Sequence, residues 1–494
     1  MKSTESRNTS SLMSTICYWY LFITITIYPF FISNGYFNTI YAKGRFQLYL
    51  ILFTDIACLI GLVIQKIRKT TSVKTPSLTD KFVFGFGGIA LISAAVSAYG
   101  SNAFSGTASW YMAAIELVFF CSIYFLVKNH LRNEPTLFYL SILIATLIFF
   151  IGVLQGFSLD IFHLKNGLIE DQMADYISTV GNTNIFAGFL TMALPFLFYH
   201  GIQTESDKKW LTIAVKISIV LGFDALLFAG SDAGYLGVGV GLLILLGWYL
   251  HTGDEKEHVI SFLFNGLYIG VSYFIIDIFY LLIPGQMIPL KGVSKVLLSY
   301  HLEIPLIFML LILVFICKKK RDFHTKYLFK TYVTLIAVGC VIAVLYNAFH
   351  FSFEWGTKRG YIWYMALDLW VNGSVKDKLL GFGPDCFGLA VDASFKYSDY
   401  ILRHWKVPIG NAHNEILQYL TTMGIAGCLC YIGIFAASIY EFVKKDNTDK
   451  YAALPFFAAV IGYFAQALVT NPNPFTATFF VICLGCLNKT NKYK

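Results

Sequence analysis

Apolar runs of about twenty residues, each closed by a cluster of polar or charged positions, recur along nearly the whole chain. That length is what an α-helix needs to cross the hydrocarbon core of a bilayer. Fourteen such runs are legible, at 14–33, 46–67, 82–99, 108–127, 136–156, 183–201, 210–230, 233–251, 259–283, 297–317, 329–347, 415–443, 451–470 and 474–488. The pattern predicts an all-α integral membrane protein with about 14 transmembrane helices (12–14), the last being the shortest. No internal repeat and no low-complexity tract interrupts it. The first run follows Lys2 and Arg7, and YPFFISNGYF after it holds no small-residue cleavage site, so it reads as a retained span.

Composition removes the other broad classes. Hydrophobic residues make up 57% of the 494 positions and charged ones only 13%, with a mean hydropathy of +0.63. A soluble enzyme needs more polar surface, and a disordered chain far less apolar content. The net charge of +8 follows from where the basic residues fall. With the N-terminus inside, twenty-three Lys and Arg lie in inner segments and five (Lys43, Arg45, Lys165, Lys291 and Lys295) in short outer loops. That asymmetry predicts two cytoplasmic termini. It also makes a nucleic-acid partner unnecessary.

One connection stands apart. Residues 348–413 form an outer segment rich in tryptophan (Trp355, Trp363, Trp370, Trp405), with Gly-Pro turns and charges of both signs. Long ordered loops tend to carry function, so this one is expected to fold as an extracytoplasmic cap. All cysteines but Cys386 lie in or beside apolar runs, and Cys483-x-x-Cys486 reads as small hydrophobes in a helix. Cys386, in the long segment, suggests itself as a topology probe for an impermeant thiol reagent.

Three segments concentrate polar chemistry at the outer ends of spans: Gly181-Asn182-Thr183-Asn184, Gly230-Ser231-Asp232-Ala233-Gly234, and the long segment. The last contains Lys358-Arg359-Gly360, Gly381-Phe382-Gly383-Pro384 and Asn411-Ala412-His413-Asn414-Glu415. Bland readings exist for each. Asn182 and Asn184 suit a helix cap, the glycine pair a tight turn, and the Lys358–Arg359 pair a solvated or headgroup-binding site. His413 by itself reads as a helix-start residue with a locally bonded ring. Asp55, Glu116, Lys216, Asp224, Asp277 and Glu303 fall inside spans, where ionisable groups are costly and point to function. Glu116 and Asp224 could line a cavity or pair with each other.

In their order and spacing these pieces resemble the O-antigen ligase and O-antigen polymerase superfamily of bacterial surface-polysaccharide enzymes. The resemblance runs over about 180–430 and rests most on His413-Asn414-x-x-Leu417 followed by Gly424-x-x-Gly427. It divides the chain into N-terminal helices (1–179), a catalytic region (180–430) and C-terminal helices (431–494). It implies a glycosyltransferase of the cytoplasmic (inner) membrane that works on the outer side without cofactor or metal. The donor would be an undecaprenyl-diphosphate-linked glycan, and a hydroxyl on a glycan or lipid would accept it with inversion. His413 would be the catalytic base, with an ordinary pKa. Arg359 and Lys358 would hold the donor diphosphate, with Arg403 and Lys406 as further candidate cations and Asn414 as a substrate contact. Two departures matter. Asp232 stands where the family commonly has Arg, which questions donor binding by that turn, and Met423 stands where Glu is frequent. The rival class is a lipid-linked oligosaccharide flippase, disfavoured because only Lys216 lies deep in a span. A metal-dependent transferase is disfavoured because the first outer loop has no acid and Asp-x-Asp is absent.

Overall fold

The computed structural model describes residues 2–67, 75–106, 110–203, 208–252, 256–319, 325–405 and 408–489. Each of the fourteen apolar runs contains a helix. Ten helices are long and apolar enough to cross a membrane, or eleven if the bent pair Gly292–Ser299 and Glu303–Lys319, set at 79°, forms one broken span. Ala114–His130, Asn447–Ala467 and Pro474–Leu487 fall outside that set. The first and last are short, and the middle one opens on the polar stretch Asn447–Lys450. Among the described residues, length and composition therefore support ten or eleven spans against the fourteen expected.

Thr183–Gln203 is the most enclosed of these helices and forms the centre of the bundle, against Lys209–Ala229, Asp232–Thr252 and Asn447–Ala467. Without a hydrophobic drive between helices in lipid, close approach comes from small residues. At Gly237 and Gly462 the two backbones touch. A Cβ on either would sit 2.9 or 2.7 Å from the other's carbonyl oxygen. Lys43, counted from sequence as a loop charge, is instead buried in Thr39–Ile67. Its ammonium donates to the carbonyls of Tyr28, Pro29 and Phe31 at 3.3, 2.8 and 3.1 Å and fastens the end of the first helix.

The 348–413 segment is folded. It holds helices Trp355–Asn372, Val375–Leu380, Phe387–Ala393 and Phe395–His404, and Ile362, Met365, Phe387, Val391, Tyr397 and Ile401 gather in a small apolar core of their own. Cys386 is fully buried, so the thiol proposed as a surface probe is inaccessible.

The segment is tied to the bundle at a break in helix Glu415–Lys444. Gly424 there has φ 65° and ψ −170°, which only glycine adopts readily. The broken turn receives the Gly381–Gly383 backbone: Phe382 and Gly383 N–H donate to the carbonyls of Thr421 and Thr422 at 3.0 and 2.8 Å. Ser97 Oγ donates to Phe382 O at 2.6 Å and Ser93 Oγ to Thr422 O at 3.1 Å, so helix Leu78–Val96 and its end stitch the same joint. The Gly-x-Gly-Pro motif is thus a docking turn.

Candidate active site

His413 ends the long segment in a backbone conformation that side chains rarely take, with φ 48°. Three local bonds hold it there. Asn411 Oδ1 accepts from the His413 N–H at 2.9 Å, Gln418 Oε1 accepts from Ala412 N–H at 2.8 Å, and Asn414 Oδ1 accepts from Leu417 N–H at 3.0 Å. The last is the N-cap of Glu415–Lys444. Asn414 Nδ2 also donates to Leu468 O at 2.8 Å, which anchors the loop to the end of Asn447–Ala467. Asn414, expected to touch substrate, therefore spends both ends of its amide on the protein and positions His413. Asn411 and Gln418 were not singled out from sequence. Their polar side chains on either side of the histidine were the available signal.

The His413 ring lines an open cavity of about 700 Å³ with Lys358, Trp405, Asp392 and Asn411 on its walls. Lys358 stands over the Trp405 ring at 5.2 Å, a cation–π contact that aims its ammonium along the cavity. Gly356, Thr357 and Lys358 all have positive φ (60°, 59° and 71°), so the helix carrying Arg359 opens on a tight left-handed turn.

Arg359 is partly buried and lies within electrostatic reach of both His413 and Asp232. Burial lowers the guanidinium's pKa, and the Asp232 carboxylate opposes that. Burial, and then the Arg359 charge, push the His413 imidazole down to about 4. The ordinary value expected for this histidine is therefore not what its surroundings give. At neutral pH the ring is unprotonated and able to accept a proton.

Asp232 opens helix Asp232–Thr252, and its Oδ1 accepts from Val293 N–H at 2.7 Å. Where a cation was expected by resemblance, this chain carries an acid that faces Arg359 and caps a short helix. Beside it, Ser231 Oγ donates to Asn184 Oδ1 at 2.8 Å, while Asn182 Oδ1 accepts from the N–H groups of Asn184 and Ile185 at 3.0 and 3.3 Å. The Gly-Asn-Thr-Asn segment is thus a helix cap linked to the Ser231 turn.

Of the two other candidate cations, only Arg403 lies among the described residues, and it is not brought to this place. Arg403 is exposed, bonded to Asp399 at 2.8 Å within its own helix, and does not line the cavity. Lys406 lies outside the described residues. Glu415 is buried and accepts from Tyr431 and Tyr463 hydroxyls at 2.5 and 2.7 Å, so it turns away from His413. Of the remaining charges inside spans, Asp55 pairs with Ser122, and Asp224 accepts from Ser272 rather than meeting Glu116. Lys216 sits over the Tyr268 ring. Asp277 and Glu303 come together beside His301.

Residues 299–432 match the family model described as O-Antigen ligase. This segment, about a quarter of the chain, is similar to the O-antigen ligase family. No match to the chain is found among curated proteins. The matched segment contains His413, Arg359, Lys358, Asn414 and Arg403, together with the docking turn and Gly424. Asp232 and the Asn182–Asn184 cap precede it, so the cluster joins the segment to the helix bundle before it. That likeness points to a ligase or polymerase of membrane glycans.

Proposed function

We propose that the protein transfers an undecaprenyl-diphosphate-linked glycan to an acceptor hydroxyl on the outer side of the bacterial cytoplasmic membrane. The observation that carries this reading is an imidazole lining an open cavity with Lys358, within electrostatic reach of the partly buried Arg359 guanidinium, in a segment similar to the O-antigen ligase family.

A lipid diphosphate is already a good leaving group, and what it needs is positive charge as the anomeric bond breaks. Arg359 supplies a planar fork for the phosphate oxygens and Lys358 a second charge. The acceptor hydroxyl enters through the cavity and attacks the anomeric carbon from the face opposite the diphosphate, while His413 Nε2 or Nδ1 takes its proton. The configuration inverts, and no metal takes part in these steps. In the free protein burial, and then the Arg359 charge, keep His413 a weak base. Arrival of the anionic diphosphate at Arg359 offsets that charge and raises the basicity of the imidazole when a donor is in place. Asp232 positions Arg359 from the opposite side. The catalytic region then extends over residues 180–430, with the 348–413 segment outside the membrane and both termini in the cytoplasm, as the basic-residue asymmetry supports.

Purified protein given a lipid-diphosphate glycan and an acceptor should form a new glycosidic bond and release the lipid diphosphate. Carrier-linked product that merely crosses the bilayer unchanged would make the protein a flippase.

A further inference from the structure

Asp277, His301 and Glu303 meet at the elbow where helix Gly292–Ser299 turns through 79° into Glu303–Lys319. Asp277 arrives from the last two turns of the neighbouring helix Lys256–Leu282. One ligand atom of each side chain lies within 4.8 Å of the other two. His301 Nδ1 is 2.6 Å from Asp277 Oδ2 and 4.0 Å from Glu303 Oε1. The Glu303 side chain is 0% exposed, and neither of its carboxylate oxygens has a hydrogen-bond partner among the described residues. A buried carboxylate without donors is expensive, and a second one at this distance makes it more so. His301 is 49% exposed, which leaves an approach from water.

We infer that this trio binds a divalent transition-metal cation, with Zn²⁺ the best fit, and that the ion fastens the elbow to helix Lys256–Leu282. Two carboxylates and a neutral imidazole balance a double positive charge. The imidazole disfavours Mg²⁺ and Ca²⁺, which take all-oxygen shells, and suits Zn²⁺. Zinc bonds of ~2.0–2.2 Å set tetrahedral ligand atoms ~3.3–3.5 Å apart, so the His301–Asp277 pair opens slightly and Glu303 draws in. Water completes the shell on the exposed side of His301. Helix Gly292–Ser299 begins at the Val293 N–H bound by Asp232 and ends at this elbow. An ion here therefore fixes the far end of the piece that Asp232 holds. The role is structural, and no step of glycan transfer passes through it.

The test uses the full-length protein in detergent, stripped with chelator and titrated with ZnCl₂. Elemental analysis after desalting should give one Zn²⁺ per chain, and zinc should raise the unfolding temperature. Glu303→Gln should weaken zinc binding by more than the roughly 10-fold typical of losing a group beyond the ligands, and should abolish the thermal shift. Stripped Glu303→Gln should be at least as stable as stripped wild type, because it removes the unpaired charge. His301→Ala gives a second variant with the same expected loss of zinc. Wild type binding no more zinc than Glu303→Gln would overturn the inference. So would stripped wild type that needs no metal and gains stability on mild acidification, since that marks a proton shared by the two carboxylates.

Discussion

The charge of Arg359 stands close enough to the His413 imidazole to resist its protonation. For a catalytic pair this has a direct signature in pH dependence. The free protein's acid limb, read from kcat/KM for the donor, should fall near pH 4, well below the ~6.5 of an unperturbed histidine. Once donor occupies Arg359, the imidazole regains basicity, so the acid limb of kcat should lie above that of kcat/KM. The stability counterpart has the same sign: the unfolded chain takes up this proton first, so stability falls as pH drops from ~6.5 toward 4. Arg359→Gln should raise the His413 value, measured as the pH dependence of imidazole carbethoxylation. Burial still holds it under the unperturbed one. An unchanged value would separate the two residues.

Under the proposed mechanism, replacing His413 removes the base and leaves the donor site in place. His413→Gln is expected to lower transfer by about 10²–10⁴-fold with donor affinity close to wild type. His413→Asn tolerates the positive φ better than other side chains do, so its unfolding temperature should match or exceed that of the wild type. Near-normal turnover by a well-folded glutamine variant would remove His413 from the mechanism.

Asp232 has two separable jobs. Asn at 232 keeps an oxygen for Val293 N–H but removes the charge that faces Arg359. It should therefore raise donor KM several-fold while leaving thermal stability nearly unchanged. Ala at 232 loses the cap as well and should cost a further ~0.5–2 kcal/mol. Equal donor KM in wild type and the Asn variant would show that Arg359 needs no help from the acid.

Gly424→Ala is a test of the joint. An added Cβ would come within 2.3 Å of the Leu379 backbone, at a φ of 65°. Relief requires moving backbone, so the variant should fail to give monodisperse protein in size-exclusion chromatography. Ala at Gly88, with nothing within 4 Å, is the matched control and should behave as wild type.

Sidedness of the 348–413 segment needs a residue other than Cys386. Phe395 is 85% exposed at the start of Phe395–His404, and a single cysteine there should label with impermeant maleimide in intact spheroplasts. Labelling only after permeabilisation would turn the topology over.

Much of this arrangement was legible in the sequence because it rests on local rules. Apolar runs located a helix each, and Asn182 and Asn414 cap helices as short polar residues ahead of such runs do. The His413 motif marked a helix start, while its left-handed backbone at φ 48° was not legible there. What sequence did not reveal depends on contacts between distant parts of the chain. The Asp232 carboxylate reaches Val293 and faces Arg359, more than a hundred residues further on. His301 drew no notice because its two acids are separated from each other by a helix end, a loop and an elbow. Among the described residues fewer helices than apolar runs meet the length and composition of a span, because apolarity marks a helix without fixing its length or its polar first turn, as Ala114–His130 and Asn447–Ala467 illustrate.

The seating of Phe382 and Gly383 in the broken turn at Gly424 governs traffic. Those two backbone hydrogen bonds sit inside the helix that begins just after His413, so the folded segment cannot swing away without unravelling the very rod that carries the base. Under the proposed function, access to His413 therefore runs through the cavity that Trp405 and Lys358 line, with no hinged motion of the segment to open it.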